Sequence, residues 1–199
     1  MSQEQRKKTL DLFTIGDLID KAIVFLSANN TITTLSLQKG IFLFLYSYAV
    51  TNGHDFNNVL RIASFEPYRF GPFSDAVTGQ AETLVGYGEI RSEGFGEKQI
   101  FGGTDKGLEK LNLSKDEKRL LTNVKKLVEI LEPVELTFYI YFNPLIDQSL
   151  RDYFTSKSEI KDSLLKRKDT YVRSLLKKGA IDNETAELMI YGNNQDKTN

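Results

Sequence analysis

Cysteine and histidine, two residue types that often act as nucleophile, base or metal ligand, are almost absent from this chain of 199 residues. It has no cysteine, which excludes a thiol nucleophile, a thiolate zinc site and a disulfide framework. His54 is the single histidine, so a site with several histidine ligands is excluded and a serine triad has one candidate base. We therefore predict no catalytic residue, no metal site and no cofactor.

One short pattern, Glu159-Ile160-Lys161, matches half of a metal-dependent nuclease site. In such a site carboxylates hold Mg²⁺ and a lysine steadies the attacked phosphate. That half-site usually lies on a strand after an upstream aspartate, whereas Glu159 falls at the start of a predicted helix, where the helix dipole explains an acid. The glycine-rich stretches also lack the Gly-x-x-x-x-Gly-Lys-Ser/Thr spacing that cradles phosphates. A nuclease is the least favoured alternative, and we predict that the protein is not an enzyme.

Charge is balanced over the whole chain, with 26 Lys+Arg against 27 Asp+Glu, but it is uneven along it. Residues 157–178 hold eight Lys and Arg against three acids. Such a run is most often the solvated face of a helix, and it also suits a contact with nucleic acid or an acidic partner. The residues of this alternative nucleic-acid surface are Lys161, Lys166, Arg167, Lys168, Arg173 and Lys177. Residues 6–8, Arg-Lys-Lys, offer a second basic stretch.

Apolar spacing predicts helices in the first half of the chain. Residues 11–28 form an amphipathic pattern, and a second helix, apolar on nearly every side, is predicted to begin at Ser36 as its N-cap. The two prolines within residues 61–74 predict a loop or short strand. Pro72 then suits the first turn of a third helix that ends near residue 87.

A hairpin and further helices are predicted after residue 88. Residues 89–92 and 98–101 flank a glycine-containing loop, as in a β-hairpin. Thr104 and Ser114 are predicted N-caps. The aromatic run 135–142 is ambiguous between strand and helix. Ser158 is predicted to begin one helix that Gly179 ends, and a short helix follows from residue 183 to about 191.

The order of these elements is that of a winged helix with a helical extension. We predict an α+β fold that is predominantly α-helical, with three helices and a β-hairpin wing in a winged-helix-like core at 1–113. An all-helical extension at 114–192 is predicted to pack on that core, and residues 193–199 are predicted to be a disordered tail. The start is polar and no apolar run approaches the about 20 residues that span a bilayer, so we predict a cytoplasmic protein with no membrane partner.

Two short motifs in this core resemble a known family. Leu37-Gln38-Lys39 opens the apolar second helix, and the segment 68–74, Tyr-Arg-Phe-Gly-Pro-Phe-Ser, leads to the third. Both resemble the Panacea (SocA-type) antitoxin-like proteins, which have Leu-Gln-Lys and an aromatic-x-aromatic-Gly-Pro turn. The chain is also similar to small bacterial, archaeal and phage-associated proteins that pair Gly-Pro-aromatic-Ser with Thr-x-x-Gly after a hairpin, here at 104–107. The likeness covers about residues 36–111.

The resemblance implies a non-catalytic interaction or regulatory module. Panacea proteins neutralise diverse toxin partners, and some relatives are associated with phages or mobile elements. We therefore expect a protein partner, such as a toxin, or self-association. The expected partner-binding residues are Tyr68, Arg69, Phe70 and Phe73. Tyr68 and Arg69 are expected to face the partner, because tyrosine seeks a hydrogen bond when buried and arginine is favoured in interfaces.

A winged helix also suggests DNA binding. The composition of the predicted helix in the recognition position argues against it. Residues 72–87 contain no Lys or Arg, and they include Asp75 and Glu82. Reading the major groove requires side chains that reach base edges and cations near phosphates. In the predicted wing, two cations are outnumbered by three acids. A DNA-binding regulator that uses the basic segment 157–178 is therefore the first alternative.

Overall fold

The computed structural model describes residues 8–192, which are predominantly helical with small antiparallel sheets. This confirms the predicted α+β class with mainly helical content. The predicted tail at 193–199 and the basic residues 6 and 7 lie outside the described residues. The elements, in chain order, are α1 Leu12–Ser27, β1 Ile32–Thr33, α2 Thr34–Asn52, α3 Phe56–Ile62, β2 Glu66–Tyr68, β3 Gly71–Phe73, α4 Asp75–Gly86, β4 Ile90–Glu93, β5 Ile100–Gly103, α5 Asp105–Lys110, α6 Lys115–Ile130, α7 Pro133–Phe142, α8 Gln148–Ser156, α9 Lys161–Lys166, α10 Lys168–Lys177 and α11 Asn183–Tyr191.

The chain forms two compact units that are not continuous in sequence. The first, here called the N-terminal unit, comprises Met1–Phe65 and Ser74–Lys125. The second, the C-terminal unit, comprises Glu66–Phe73 and Lys126–Asn199, so the β2–β3 hairpin groups with the helices of the second half. The predicted boundary between a core at 1–113 and an extension at 114–192 stays a prediction.

In the N-terminal unit, a three-stranded antiparallel sheet has the order β1-β5-β4. The register pairs Ile32 with Phe101 and Ile90 with Gly103. The helices α1 and α2 pack together, and α2 is buried on most sides, as its apolar sequence predicts. In the core, the Phe42 ring meets the edges of Phe56 and Phe65 at centroid distances of 5.6 and 5.5 Å.

The helix starts in this unit follow from side-chain caps. Asp11 accepts a hydrogen bond from the Thr14 N–H and begins α1, close to the predicted position. The prediction that Ser36 caps α2 is wrong, because the Thr33 hydroxyl accepts the Ser36 N–H and the helix begins at Thr34. Thr104 caps α5 as predicted, and it accepts the N–H of Gly107.

Two further predictions in this stretch are wrong. Residues 56–62 form the helix α3, which the prediction of a loop or strand from residue 61 did not include. It is only seven residues long, which is too short for a clear apolar period, and Asp55 caps it. Pro72 does not begin a helix, because it pairs with Pro67 in the β2–β3 hairpin. Ser74 caps α4 instead, by accepting the Val77 N–H.

In the C-terminal unit, the β2–β3 hairpin packs against α7 and α8. The ambiguous run 135–142 is helical, because Pro133 and a capping box between Glu132 and Glu135 begin α7. The prediction of a single helix from Ser158 to Gly179 is wrong, because the helix is interrupted at Arg167, which separates α9 from α10. Gly179, at φ +69°, follows α10 as predicted, and the short last helix is present as α11.

Candidate functional site

The four predicted partner-binding aromatic and arginine residues lie together on the β2–β3 hairpin of the C-terminal unit. Arg69 and Phe70 form its two-residue turn, and the rings of Tyr68 and Phe73 lie 5.1 Å apart across the strands. The guanidinium of Arg69 lies 4.9 Å from the centre of the Phe70 ring. The prediction that these residues bind a partner stays a prediction, and the structure places all four in one small patch.

In this patch of Tyr68, Arg69, Phe70 and Phe73, one side packs against the rest of the C-terminal unit and the other side is exposed to solvent. Phe70 and Phe73 are half-buried, and the Thr137 hydroxyl donates a 2.8 Å hydrogen bond to the Phe70 carbonyl. Tyr68 is 42% exposed, and Arg69 pairs with Glu159 at 3.3 Å on the surface. Both partners of that ion pair are largely exposed, so it contributes at most about 1 kcal/mol and a partner molecule can replace it at little cost.

The ion pair with Arg69 gives a structural contact to Glu159, the residue on which the nuclease alternative depends. Glu159 is paired with Arg69 and lies before α9 on the surface. Within residues 8–192, no group of three or more His, Cys, Asp or Glu side chains is arranged to hold a metal ion.

The predicted nucleic-acid surface is spread over α9 and α10. Lys166, Arg167, Arg173 and Lys177 are exposed, while Lys161 and Lys168 are half-buried. The Lys168 ammonium donates to the Ile190 carbonyl at 2.9 Å, where it satisfies the end of α11. The guanidinium of Arg167 stacks 5.4 Å from the centre of the Tyr171 ring. Two of the six predicted cations therefore have structural contacts of their own.

Helix α4, which contains most of the segment 72–87 predicted to be a recognition helix, has an exposed face without cations. Its exposed residues are small or acidic, namely Asp75, Ala76, Gly79, Glu82, Thr83 and Gly86. Between β4 and β5, the tip of the hairpin carries Phe95, which is 94% exposed. Gly94 and Gly96 flank it at φ +81° and +59°, a backbone conformation that glycine adopts without strain.

Gln38 and Ser74, one residue from each of the two motifs that carry the family resemblance, meet in the core of the N-terminal unit, in a contact that we call the Gln38–Ser74 clamp. Gln38 is 1% exposed, and its side-chain amide donates to the Ser74 carbonyl at 2.9 Å and to the Thr78 hydroxyl at 3.0 Å. The Ser74 N–H donates back to the side-chain oxygen Oε1 of Gln38 at 3.0 Å, and the Ser74 hydroxyl donates to the Ala63 backbone carbonyl at 2.6 Å. The clamp fixes the start of α4 against α2, so these motif residues are explained by architecture.

The Thr-x-x-Gly motif makes a second structural contact in the same unit. The Thr104 hydroxyl lies 2.9 and 2.8 Å from the carbonyl oxygens of Gly88 and Glu89. A Cβ atom at Gly107 would lie 2.1 Å from the Glu89 carbonyl oxygen, so only glycine fits there. The motif therefore lets α5 approach the backbone that precedes β4.

Beside this contact, a cleft of about 330 Å³ opens, which we call the Asp20 cleft. It lies between α1, the end of α4, the residue before β4, and α5 with the two residues that follow it. Its charged lining residues are Asp17, Asp20, Lys21, Glu89 and Lys110, and its apolar lining residues include Val24, Leu84 and Leu111. The lining therefore combines charged side chains with apolar ones.

In the Asp20 cleft, both lysines form ion pairs with carboxylates, whereas one carboxylate, that of Asp20, has no ion pair among the described residues. Lys21 pairs with Asp17 at 2.7 Å and with Glu117 at 3.2 Å, and Lys110 forms an ion pair with Glu89. Asp20 has neither an ion pair nor a hydrogen bond to its carboxylate among the residues that the structure describes. Burial, aided by the nearby charges of Asp17 and Glu89, raises the pKa of Asp20 to about 6.

Sequence reasoning did not find the Asp20 cleft. The available signal was the spacing of Asp17, Asp20 and Lys21, which places all three on one side of α1. Such a pattern is common on any solvated helix face. The residues that turn it into a cleft, Glu89 and Lys110, are about 70 to 90 positions away along the chain.

Comparisons with known proteins add no relative: no family model, no curated protein and no solved structure matches the chain. Among the helices of residues 8–192, none combines the length and the apolar character needed to cross a membrane.

Proposed function

We propose that this chain is a non-catalytic interaction module with an antitoxin-like, protein-binding role, and that its N-terminal unit is a winged-helix-like scaffold. The resemblance of the 37–39 and 68–74 motifs to Panacea (SocA-type) proteins suggests the role. The observation that carries the proposal is the surface of α4 and of the β4–β5 hairpin, which lacks the chemistry of a DNA reader and presents an exposed aromatic ring.

The element order supports the winged-helix-like part of the proposal. In the N-terminal unit, α1, β1, α2, α4, β4 and β5 follow one another in the order of a winged helix, and β1 pairs with β5. Helix α3 is then an addition between α2 and α4. In this scheme α4 is the recognition helix and the β4–β5 hairpin is the wing.

The exposed chemistry of these two elements favours a protein over DNA. The exposed face of α4 holds Asp75 and Glu82 and no cation, so it repels a phosphate backbone. At the tip of the wing, Phe95 is 94% exposed, and a fully exposed aromatic ring is the type of residue that anchors protein interfaces. In the C-terminal unit, Tyr68 and Arg69 offer a second such surface on the β2–β3 hairpin.

The test is capture of a defined partner. We would co-express the chain with the product of its neighbouring gene and measure the affinity of the purified complex by calorimetry. Phe95→Ser removes the ring at the tip of the wing, and the double variant Tyr68→Ala/Arg69→Ala removes the exposed side of the β2–β3 hairpin. Val50→Ser, at an exposed apolar position of α2, is the matched control.

We expect one of the two surface variants to weaken the complex by about tenfold or more, as a central interface residue does, and the control to leave it unchanged. A complex that forms equally well with all three variants contradicts the proposed surfaces. A chain that binds neither the neighbouring product nor a second copy of itself contradicts the proposed role.

The basic segment carries a second candidate function, DNA binding. Lys166, Arg173 and Lys177 are exposed and make no ion pair among the described residues. The test is duplex DNA binding over a range of salt concentrations, with Lys166→Glu/Arg173→Glu/Lys177→Glu as the variant. Binding that weakens steeply with salt and disappears in the variant favours this function, because each phosphate contact releases a counterion. Absence of binding at low salt rejects it.

A further inference from the structure

The Asp20 cleft has a ligand chemistry that the partner-binding proposal does not use. We infer that this cleft of the N-terminal unit binds an organic cation, an ammonium or guanidinium group on a short aliphatic stem. The inference is independent of the identity of any partner that binds α4 or the wing.

The first argument is charge. Three carboxylates, of Asp17, Asp20 and Glu89, line the cleft against the two ammonium groups of Lys21 and Lys110. The Lys21 ammonium is shared, since Glu117 of α6 also holds it at 3.2 Å. The cleft therefore has a net negative charge, and an anion is disfavoured there.

The second argument is the position of the unmatched charge. Asp20 is the half-buried carboxylate that has no partner among the described residues, and it lies in the wall of the cleft. Taking a carboxylate out of water without a partner is costly. A cation that donates hydrogen bonds to Asp20 would remove that cost, and charge-assisted hydrogen bonds are the strong ones.

The third argument is shape. The cleft of about 330 Å³ has room for an organic group, and its lining includes the buried Val24 and Leu84 and the half-buried Leu111. These side chains suit methylene groups, as in the stem of lysine or arginine. The described carboxylates are not grouped to hold a metal ion, which favours an organic cation over an inorganic one.

The experiment is a titration of the full chain with n-butylammonium and with n-butylguanidinium, followed through backbone amide signals by NMR. Butanol and butyrate, of similar size but without the positive charge, are the comparison probes. Asp20→Asn removes the unmatched charge, and Glu82→Gln, which removes an exposed carboxylate from α4, is its matched control. Asn112→Lys is a second variant that places a tethered ammonium at an exposed position in the wall of the cleft, and Asn112→Gln is its control.

We expect the two cations to shift signals around Asp20 and Glu89, and the comparison probes to leave them unchanged. Asp20→Asn should weaken cation binding by about tenfold or more. Asn112→Lys should weaken it as well, because the tethered ammonium competes at high effective concentration. Lowering the pH from 7.5 to 5 should weaken binding by about tenfold, as protonation removes the charge of Asp20.

Two sources of the cation are distinguished by a lysine tripeptide blocked at both ends and by free putrescine. Binding of the tripeptide assigns the cleft to a side chain of a protein partner, and binding of putrescine alone assigns it to a free amine. Binding of neither butyl cation, equal binding by Asp20→Asn, or saturation by Mg²⁺ in place of the organic cations overturns the inference.

Discussion

The Gln38–Ser74 clamp and the Asp20 cleft lie in the same unit but treat their polar groups in opposite ways. In the clamp, the buried amide and hydroxyl groups exchange hydrogen bonds within 3.0 Å. In the cleft, a half-buried carboxylate has no partner among the described residues, and its pKa is raised to about 6. Buried polar groups that have hydrogen-bond partners stabilise a fold. A half-buried carboxylate without a partner lowers stability, and a ligand in the cleft can supply the missing partner. Substitutions in the clamp and in the cleft test this difference, and two substitutions elsewhere provide a scale for it.

The largest effect is expected in the clamp. Gln38→Leu leaves the Ser74 N–H buried without its partner and removes the hydrogen bonds to the Ser74 carbonyl and the Thr78 hydroxyl, although that carbonyl still accepts the Thr78 N–H at 3.2 Å. We expect this variant to lower the free energy of unfolding by about 3 kcal/mol. Chemical denaturation followed by circular dichroism measures this value. Gln80→Leu is the matched control, because the Gln80 carbonyl oxygen already lacks a partner in the described structure and its amide makes only a 3.5 Å contact. Equal losses in the two variants would show that the clamp has no special role.

The contact of α5 with the backbone before β4 should be almost as sensitive. In Gly107→Ala, the new methyl group meets the Glu89 carbonyl, so we expect a loss of about 2 kcal/mol in the free energy of unfolding. Gly79→Ala is the control, since no atom lies within 4 Å of a Cβ at that position in α4. There the substitution should raise stability by about 0.5 to 1 kcal/mol through helix propensity. A neutral Gly107→Ala would contradict the close approach.

In the Asp20 cleft, removal of the unmatched charge should raise the free energy of unfolding rather than lower it. Asp20 has its pKa raised from 3.8 to about 6, so between these pH values the folded chain holds a proton that the unfolded chain releases. Stability due to this group is therefore lost as the pH rises from about 4 to 6. Asp20→Asn should be more stable than the parent by about 1 kcal/mol at pH 7.5, a value reduced for the partial exposure of Asp20, and nearly equal to it near pH 4.

Thermal unfolding of both proteins at the two pH values measures this difference. Glu82→Gln serves as the control, because it removes a carboxylate that is exposed on α4 and outside the cleft. An Asp20→Asn protein that is less stable than the parent at pH 7.5 would show that the carboxylate already has a stabilising role in the fold.

The smallest effect is expected at the exposed ion pair of the β2–β3 hairpin. Arg69→Ala removes the pair with Glu159 and the contact with the Phe70 ring, and both groups of the ion pair are largely exposed. We expect a change of less than about 1 kcal/mol in the free energy of unfolding. A larger loss, measured by the same denaturation experiment, would make Arg69 a structural residue and remove it from the predicted partner surface.

Elements that depend on a few neighbouring residues were predictable. The apolar period of α1, the cap by Thr104 and the glycine at the end of α10 each act within one or two helical turns. The absence of cations from α4 was also visible in the sequence, because it is a matter of composition.

Elements that depend on competing local signals were predicted wrongly. Pro72 is compatible with a helix start and with an edge strand, and its pairing with Pro67 decides for the strand. Ser36 and Thr33 are both good caps, and the end of β1 at Thr33 decides between them. The interruption between α9 and α10 at Arg167 could not be predicted, because no glycine or proline lies near it in the sequence.

By itself the sequence determined the helical class, the cap by Thr104, the two motifs and the lack of chemistry based on cysteine or on several histidines. Only the tertiary structure decided what the motif residues do and where an unmatched charge lies. Gln38 bonds to Ser74 across 36 positions, and the charge of Glu89 acts on Asp20 across 69, once α1 has packed against α2, α4 and α5. Hydrogen bonding and desolvation depend on neighbours in space, and those neighbours exist only once the helices have packed.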